Sequence, residues 1–191
     1  MNKIVVLTGI PGSGKTTVLE AVLALTSKEG MKFLPVNYGT VMFEAAREMK
    51  LVTDRDQMRK LDPSKQKDMQ KMAGKKIASM ARTASLIVDT HCTINTHKGY
   101  LPGLPEWVLR EMMPDTIVLI EADPKEIYTR RNSDKTRARD AETADDIHAH
   151  QQINRAASIA YGMMTGATTK IIKNEQGKAE KAAKEILDLL R

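Results

Sequence analysis

The sequence predicts an α/β fold, a five-stranded parallel sheet with helices on both faces. Three observations lead there. Five short apolar runs, Ile4 to Thr8, Phe33 to Asn37, Leu86 to Asp89, Thr116 to Glu121 and Thr168 to Lys173, are rich in Val and Ile and lack polar alternation, as strands buried on both sides do. Helical patterns separate them, which is the spacing of strand–helix–strand units. A chain of 191 residues, 41% hydrophobic and 28% charged, can build one core but hardly two full domains, so residues 1–191 are expected to form a single domain.

The first run leads into Gly9-Ile10-Pro11-Gly12-Ser13-Gly14-Lys15-Thr16, which matches G-x-x-x-x-G-K-[ST] without departure. A helical stretch starts near Thr16. Strand, glycine-rich turn and helix in that order confirm a phosphate-binding P-loop. Glycines let backbone N–H groups point inward at phosphate oxygens, and the helix N-terminus adds partial positive charge. Lys15 is placed to reach the β and γ phosphates and the Thr16 hydroxyl to ligate Mg²⁺. The motif refines the fold class to a P-loop NTPase fold. It does not choose the reaction, but no Asn-Lys-x-Asp run reads guanine.

Between the second and third runs, Asp54 to Lys60 reads as an exposed helical turn with internal ion pairs. Pro63 interrupts the helical pattern, so a turn is expected near residues 62–64. Met69, Met72, Ala73, Ile77 and Met80 then form a helical stripe whose methionines read as core filling. The third run ends in Asp89, a carboxylate at a strand end suited to Mg²⁺ or its waters, and His91 follows two residues on. Residues 98–105 hold two Gly and two Pro and read as a loop, with Trp107 packed beneath it. After the fourth run, Arg130, Arg131, Arg137 and Arg139 crowd a polar segment, Arg130 to Asp140, that reads as a loop. Guanidinium forks there would stabilise a phosphoryl group in flight. Ile153, Ala156, Ala157, Ala160 and Met164 form a further stripe. Gly177 precedes a last amphipathic helix through Ala182, Ala183, Ile186, Leu187 and Leu190.

Thirty Lys plus Arg against 24 Asp plus Glu give a net charge of +6. That favours polyanionic partners, phosphate-bearing small molecules as much as nucleic acid. Aromatic residues at 4% offer few stacking faces, so no nucleic acid is expected. A single cysteine, Cys92, fits a reducing compartment. No apolar run reaches the roughly 18 residues of a membrane span, so a cytoplasmic protein without a membrane partner is expected. His91, His97, His148 and His150 do not make a metal set, and no zinc is expected.

Gly9 through Thr17, Val36-Asn37-Tyr38-Gly39-Thr40, Asp54-Arg55-Asp56-Gln57-Met58-Arg59-Lys60-Leu61, Asp89-Thr90-His91, Gly99-Tyr100-Leu101-Pro102-Gly103-Leu104-Pro105, and Gly166-Ala167-Thr168 leading to Ile171-Ile172-Lys173-Asn174 span the chain. Together these runs resemble the archaeal type of adenylate kinase, a branch of the nucleoside monophosphate kinases. The resemblance implies a helical AMP-binding insertion over residues 38–80, a short lid over 133–142, the reaction ATP + AMP ⇌ 2 ADP with Mg²⁺, and a homotrimer.

It also implies site residues. ATP is expected on Gly9, Ile10, Pro11, Gly12, Ser13, Gly14, Lys15, Thr16 and Thr17. AMP is expected against Tyr38, Gly39, Thr40, Arg59, Asp89, Thr90 and His91. Lys15, Arg130, Arg137 and Arg139 would be catalytic; Thr16 would hold Mg²⁺ directly and Asp89 through water. Bacterial and eukaryotic adenylate kinases carry AMP-phosphate arginines after strands two and three. Here Gly39-Thr40-Val41-Met42-Phe43 and Asp89-Thr90-His91-Cys92-Thr93 have none, which makes Arg59, with Arg55, the replacement candidate. The alternatives are another small-molecule kinase on this fold or an RNA-associated P-loop ATPase.

Overall fold

The computed structural model describes residues 2–133 and 142–191. The five apolar runs become β1 (Ile4–Thr8), β2 (Phe33–Asn37), β3 (Ser85–Asp89), β6 (Thr116–Glu121) and β7 (Thr168–Lys173). They form one parallel sheet in the order β2-β3-β1-β6-β7. Alternation along each strand feeds two layers. Ile4 and Val6 of β1, with Leu86 and Val88 of β3, pack under α2 (Tyr38–Glu48), α3 (Pro63–Ala81) and α4 (Glu106–Met112). Val5, Leu7 and Ile87 point the other way and meet α1 (Lys15–Lys28) and α7 (Ala179–Leu190). The inner strands have no solvent face, so they need no polar alternation.

The two edge strands depart from the buried-strand expectation. Leu34 and Ile171 are 48% and 39% exposed. Only inner strands are covered on both sides, and an edge tolerates Pro35, which lacks an N–H, and the lysines of β7.

Four further expectations are corrected. Gly99–Pro102 is not loop but strand β5, paired antiparallel with β4 (Thr93–Thr96) in a separate hairpin. Its Gly and Pro are tolerated because both strands are edges of a two-stranded sheet. Arg130 and Arg131 lie on helix α5 (Pro124–Ser133) rather than on a loop. Pro63 opens α3 at its first turn, behind Asp62, whose carboxylate accepts from the Lys65 N–H at 3.0 Å. The methionines are only partly core filling: Met69 is buried, whereas Met72, Met80 and Met164 are exposed.

Helix α6 (Ala144–Thr165) turns a face to the core that is not its apolar stripe. Ile147, His150, Gln151, Asn154, Ser158 and Tyr161 are buried, while Ala156, Ala160 and Met164 are exposed. The polar groups can be inside because they are paired. Gln151 donates to the Ala122 carbonyl at 2.9 Å, and the Tyr161 hydroxyl donates to that of Cys92 at 2.8 Å. The Thr93 hydroxyl donates to Asn154 Oδ1 at 2.5 Å and meets His150 Nε2 at 3.0 Å. Among the described residues, no helix is long and apolar enough to cross a membrane.

Candidate active site: the P-loop and the cleft beside it

The P-loop sits where β1 ends and α1 begins. Gly12 and Gly14 take φ of +89° and +82°, a region that costs an L side chain, and Gly14 caps α1. The loop is gripped from two sides. From α5, Arg130 donates to the Gly12 carbonyl at 3.2 Å and Arg131 to that of Pro11 at 2.8 Å. Gln176 and Glu126 hold the Arg130 guanidinium at 2.6 and 3.1 Å. From the end of β7, Asn174 donates to the Ser13 carbonyl at 2.8 Å. The Ser13 hydroxyl and Asn174 Oδ1 are buried without a partner among the described residues. Ile10 is buried against Ala122, Ile127 and Ile147, so only its backbone can serve a ligand. Thr16 and Thr17 face solvent at the start of α1.

Lys15 reaches across to Asp89 at the end of β3 and forms an ion pair with it. Burial pulls the Lys15 ammonium down from 10.5 to about 8, since low polarity disfavours the charged form. The other Asp89 oxygen accepts from Asn37 Nδ2 at 3.1 Å. Asn37 Oδ1 caps α2 through the Thr40 N–H at 3.0 Å and takes Arg55 Nη2 at 3.5 Å. A Cβ at Gly39 would stand 2.5 Å from that same Arg55 nitrogen; glycine is what lets the guanidinium lie over the backbone there.

A cleft opens beside Lys15. Tyr38, Gly39, Asp89, Thr90 and His91 line it, as do Arg55, Met42, Gln70, Ile94 and Pro102. His91 Nδ1 lies 3.3 Å from the Gly9 carbonyl, which ties the cleft wall to the P-loop. Thr40 lies in the first turn of α2 next to the lining and donates its backbone N–H to the Asn37 cap, whereas Arg59 is exposed on the 3-10 turn Asp56–Lys60 and does not line the cleft. Arg137, Arg139 and residues 134–141 of the lid expected over 133–142 lie outside the described residues. Asn37, Asn174 and Gln70 were not singled out for the site; their signal, a polar residue at or just past a strand end or facing the cleft from a helix, is too common to read from sequence. Burial pushes the Cys92 thiol up to about 12, so it stays protonated and unreactive. Among the described residues no group of three His, Cys, Asp or Glu is placed to hold a metal.

Relatives decide the family. The adenylate kinase of Methanocaldococcus jannaschii is 53% identical over 190 residues, covering 100% of this chain and 99% of its own. The chain belongs to the adenylate kinase family. The adenylate kinase of Methanothermobacter thermautotrophicus is 55% identical over 188 residues, covering 98% of this chain and 99% of its own. A family described as an AAA domain matches residues 8–148. Among solved structures, shikimate kinase from Acinetobacter baumannii in complex with shikimate superposes with a TM-score of 0.61 at 18% identity, covering 100% of this chain and 93% of that one. That likeness shows the fold of this adenylate kinase family member and nothing of its acceptor.

Proposed function

We infer that the chain catalyses the reversible transfer of the γ-phosphoryl group of ATP to AMP. The observation that supports it is the cleft: a charged end made by Lys15, Arg55 and Asp89 adjoins the P-loop, so a second phosphate can meet the first in line. The bond from the γ phosphorus to the β,γ-bridging oxygen breaks, and a bond to an oxygen of the acceptor phosphate forms. The acceptor is already an anion, so no general base is required. The protein contributes alignment and charge neutralisation. Lys15 serves the β and γ oxygens and Arg55, in place of Arg59, serves the acceptor phosphate. Arg130 fixes the P-loop from α5; Arg137 and Arg139 complete the reading as lid residues.

Thr16 and Asp89 fit Mg²⁺: one is a solvent-facing hydroxyl, the other a carboxylate whose side chain is 18% exposed, and both are hard oxygen donors. When bound, the ion would neutralise charge on the phosphates. Residues 38–80 act as the AMP-binding insertion and 133–142 as the lid. The apolar face of α6, with Ile159, Met163 and Met164 exposed at 50%, 84% and 50%, supports assembly with further copies of the chain; the family resemblance makes that assembly a homotrimer, and the reading places it in the cytoplasm.

An acceptor panel tests this. With Mg-ATP fixed, AMP, CMP, UMP and shikimate are offered in turn and ADP is measured. AMP is expected to give the highest kcat/KM. A higher value for shikimate or a pyrimidine nucleotide would replace the reading with that of another small-molecule kinase.

A further inference from the structure

We propose that Gln70 reads the base of the acceptor nucleotide, and that Trp107 locks its amide in one orientation so that a 6-amino purine is accepted and a 6-oxo purine rejected. The inference rests on the acceptor being a purine nucleoside monophosphate.

The cleft divides by chemistry. Its charged residues come from the P-loop, the end of β3 and Arg55. What α2, α3 and the β4–β5 hairpin with its exit contribute is uncharged: Tyr38, Met42, Gln70, Ile94 and Pro102. Ile94 is 45% exposed, an apolar surface suited to a flat ring. Tyr38 is 3% exposed and its hydroxyl has no partner among the described residues. An uncharged, partly apolar wall beside a phosphate-binding end is what a nucleoside monophosphate presents in mirror image.

Within that wall Gln70 is the one side chain with an amide edge. Trp107 Nε1 lies 3.1 Å from its Oε1. An indole N–H only donates, so the facing amide atom must be the oxygen. The amide is thereby fixed. Nε2 keeps two N–H donors with no acceptor among the described residues, and Oε1 keeps a second lone pair. One donor beside one acceptor matches the N6 amino group of adenine with its ring nitrogen N1 or N7. A 6-oxo purine reverses the pattern, with an acceptor at O6 and a donor at N1. A free amide would rotate by 180° and read either. Here rotation would set the NH₂ group against the indole N–H, and both would lose their bond. Trp107 itself is held: it packs partly buried on the core, and Lys67 Nζ sits 4.8 Å from its ring centroid.

The test uses the full chain with AMP and IMP as acceptors at saturating Mg-ATP. Wild type should prefer AMP. Gln70→Leu should raise the KM for AMP about tenfold or more, with the KM for ATP within about twofold. Trp107→Phe should narrow the AMP-to-IMP ratio of kcat/KM at least about tenfold, chiefly by improving IMP. Gln70→Glu keeps the bond to Trp107 and the shape while removing the donor, so it should weaken AMP even if Trp107→Phe packs poorly; circular dichroism checks each fold. If wild type phosphorylates AMP but the ratio stays within twofold in all three variants, or KM rises equally for ATP and AMP, the base-reading role is overturned. If wild type phosphorylates neither AMP nor IMP, the acceptor assignment itself has failed, and with it this inference.

Discussion

At the scale of single residues, Lys15 concentrates the chemistry and its burial makes it sensitive to pH. Above about pH 8 the free chain has lost the lysine proton, and a bound phosphate chain would restore it. Mg-ATP affinity is therefore expected to fall as pH rises through 8, with proton uptake on binding, as titration calorimetry in buffers of different ionisation enthalpy would register; an affinity flat from pH 7 to 9.5 would contradict this. Lys15→Ala should lower turnover on the order of 10²–10³-fold while the circular dichroism melt survives; an unchanged rate would remove the lysine from the mechanism. Arg55 and Arg59 show where reading residues one by one stops. Both belong to one polar run of the sequence, and only the path of the 3-10 turn places Arg55 over Gly39 and leaves Arg59 in solvent. Backbone geometry of that kind has no signature in residue type. The P-loop does, because its φ values demand glycine at fixed spacing.

At the scale of elements, the β4–β5 hairpin forms part of the cleft wall and is tied to α6 by polar groups. The Thr93 O–H is spent on Asn154 Oδ1, so the hydroxyl oxygen must accept from the His150 Nε2–H. Thr93→Val leaves two buried groups unpaired and should destabilise the chain by about 2–4 kcal/mol, measured by urea denaturation; a cost below 0.5 kcal/mol, on the order of a neutral surface change, would contradict the network. Burial holds the His150 pKa below its ordinary 6.5; Thr93 and Glu142 oppose that shift and Arg131 adds to it, while the Tyr100 ring lies 5.0 Å away. The unfolded chain then takes up this proton first as pH falls, so stability attributable to His150 is present above pH 6.5 and declines below it. A His150→Gln variant should lose less stability than wild type between pH 7.5 and 5.5; an equal loss would put the acid sensitivity elsewhere. The strands and α7 were legible because apolar runs and a 3.6-residue stripe follow directly from burial on two faces or one. The hairpin was not, since Gly and Pro outvote weak pairing in any local reading. Nor was the core face of α6, because its polar residues are buried through partners 29 to 69 positions away in sequence.

At the scale of the whole molecule, the parallel sheet brings the ends of β1, β2 and β3 to one side, so that Lys15, Asn37 and Asp89 meet although 22 to 74 residues separate them along the chain. The same architecture leaves the apolar face of α6 in solvent. Sedimentation should give a mass three times the 21.2 kDa of one chain, and Met163→Asp should shift it toward that of one chain; a monomeric wild type would contradict the assembly. The central claim is that one end of the sheet, where β1, β2 and β3 finish, aligns two nucleotides for direct phosphoryl exchange. Its most direct test starts from ADP alone: with Mg²⁺ and the purified chain, ATP and AMP are expected to accumulate together in equal amounts until the reaction reaches equilibrium. ADP left unchanged, or phosphate released without AMP-matched ATP, would contradict it.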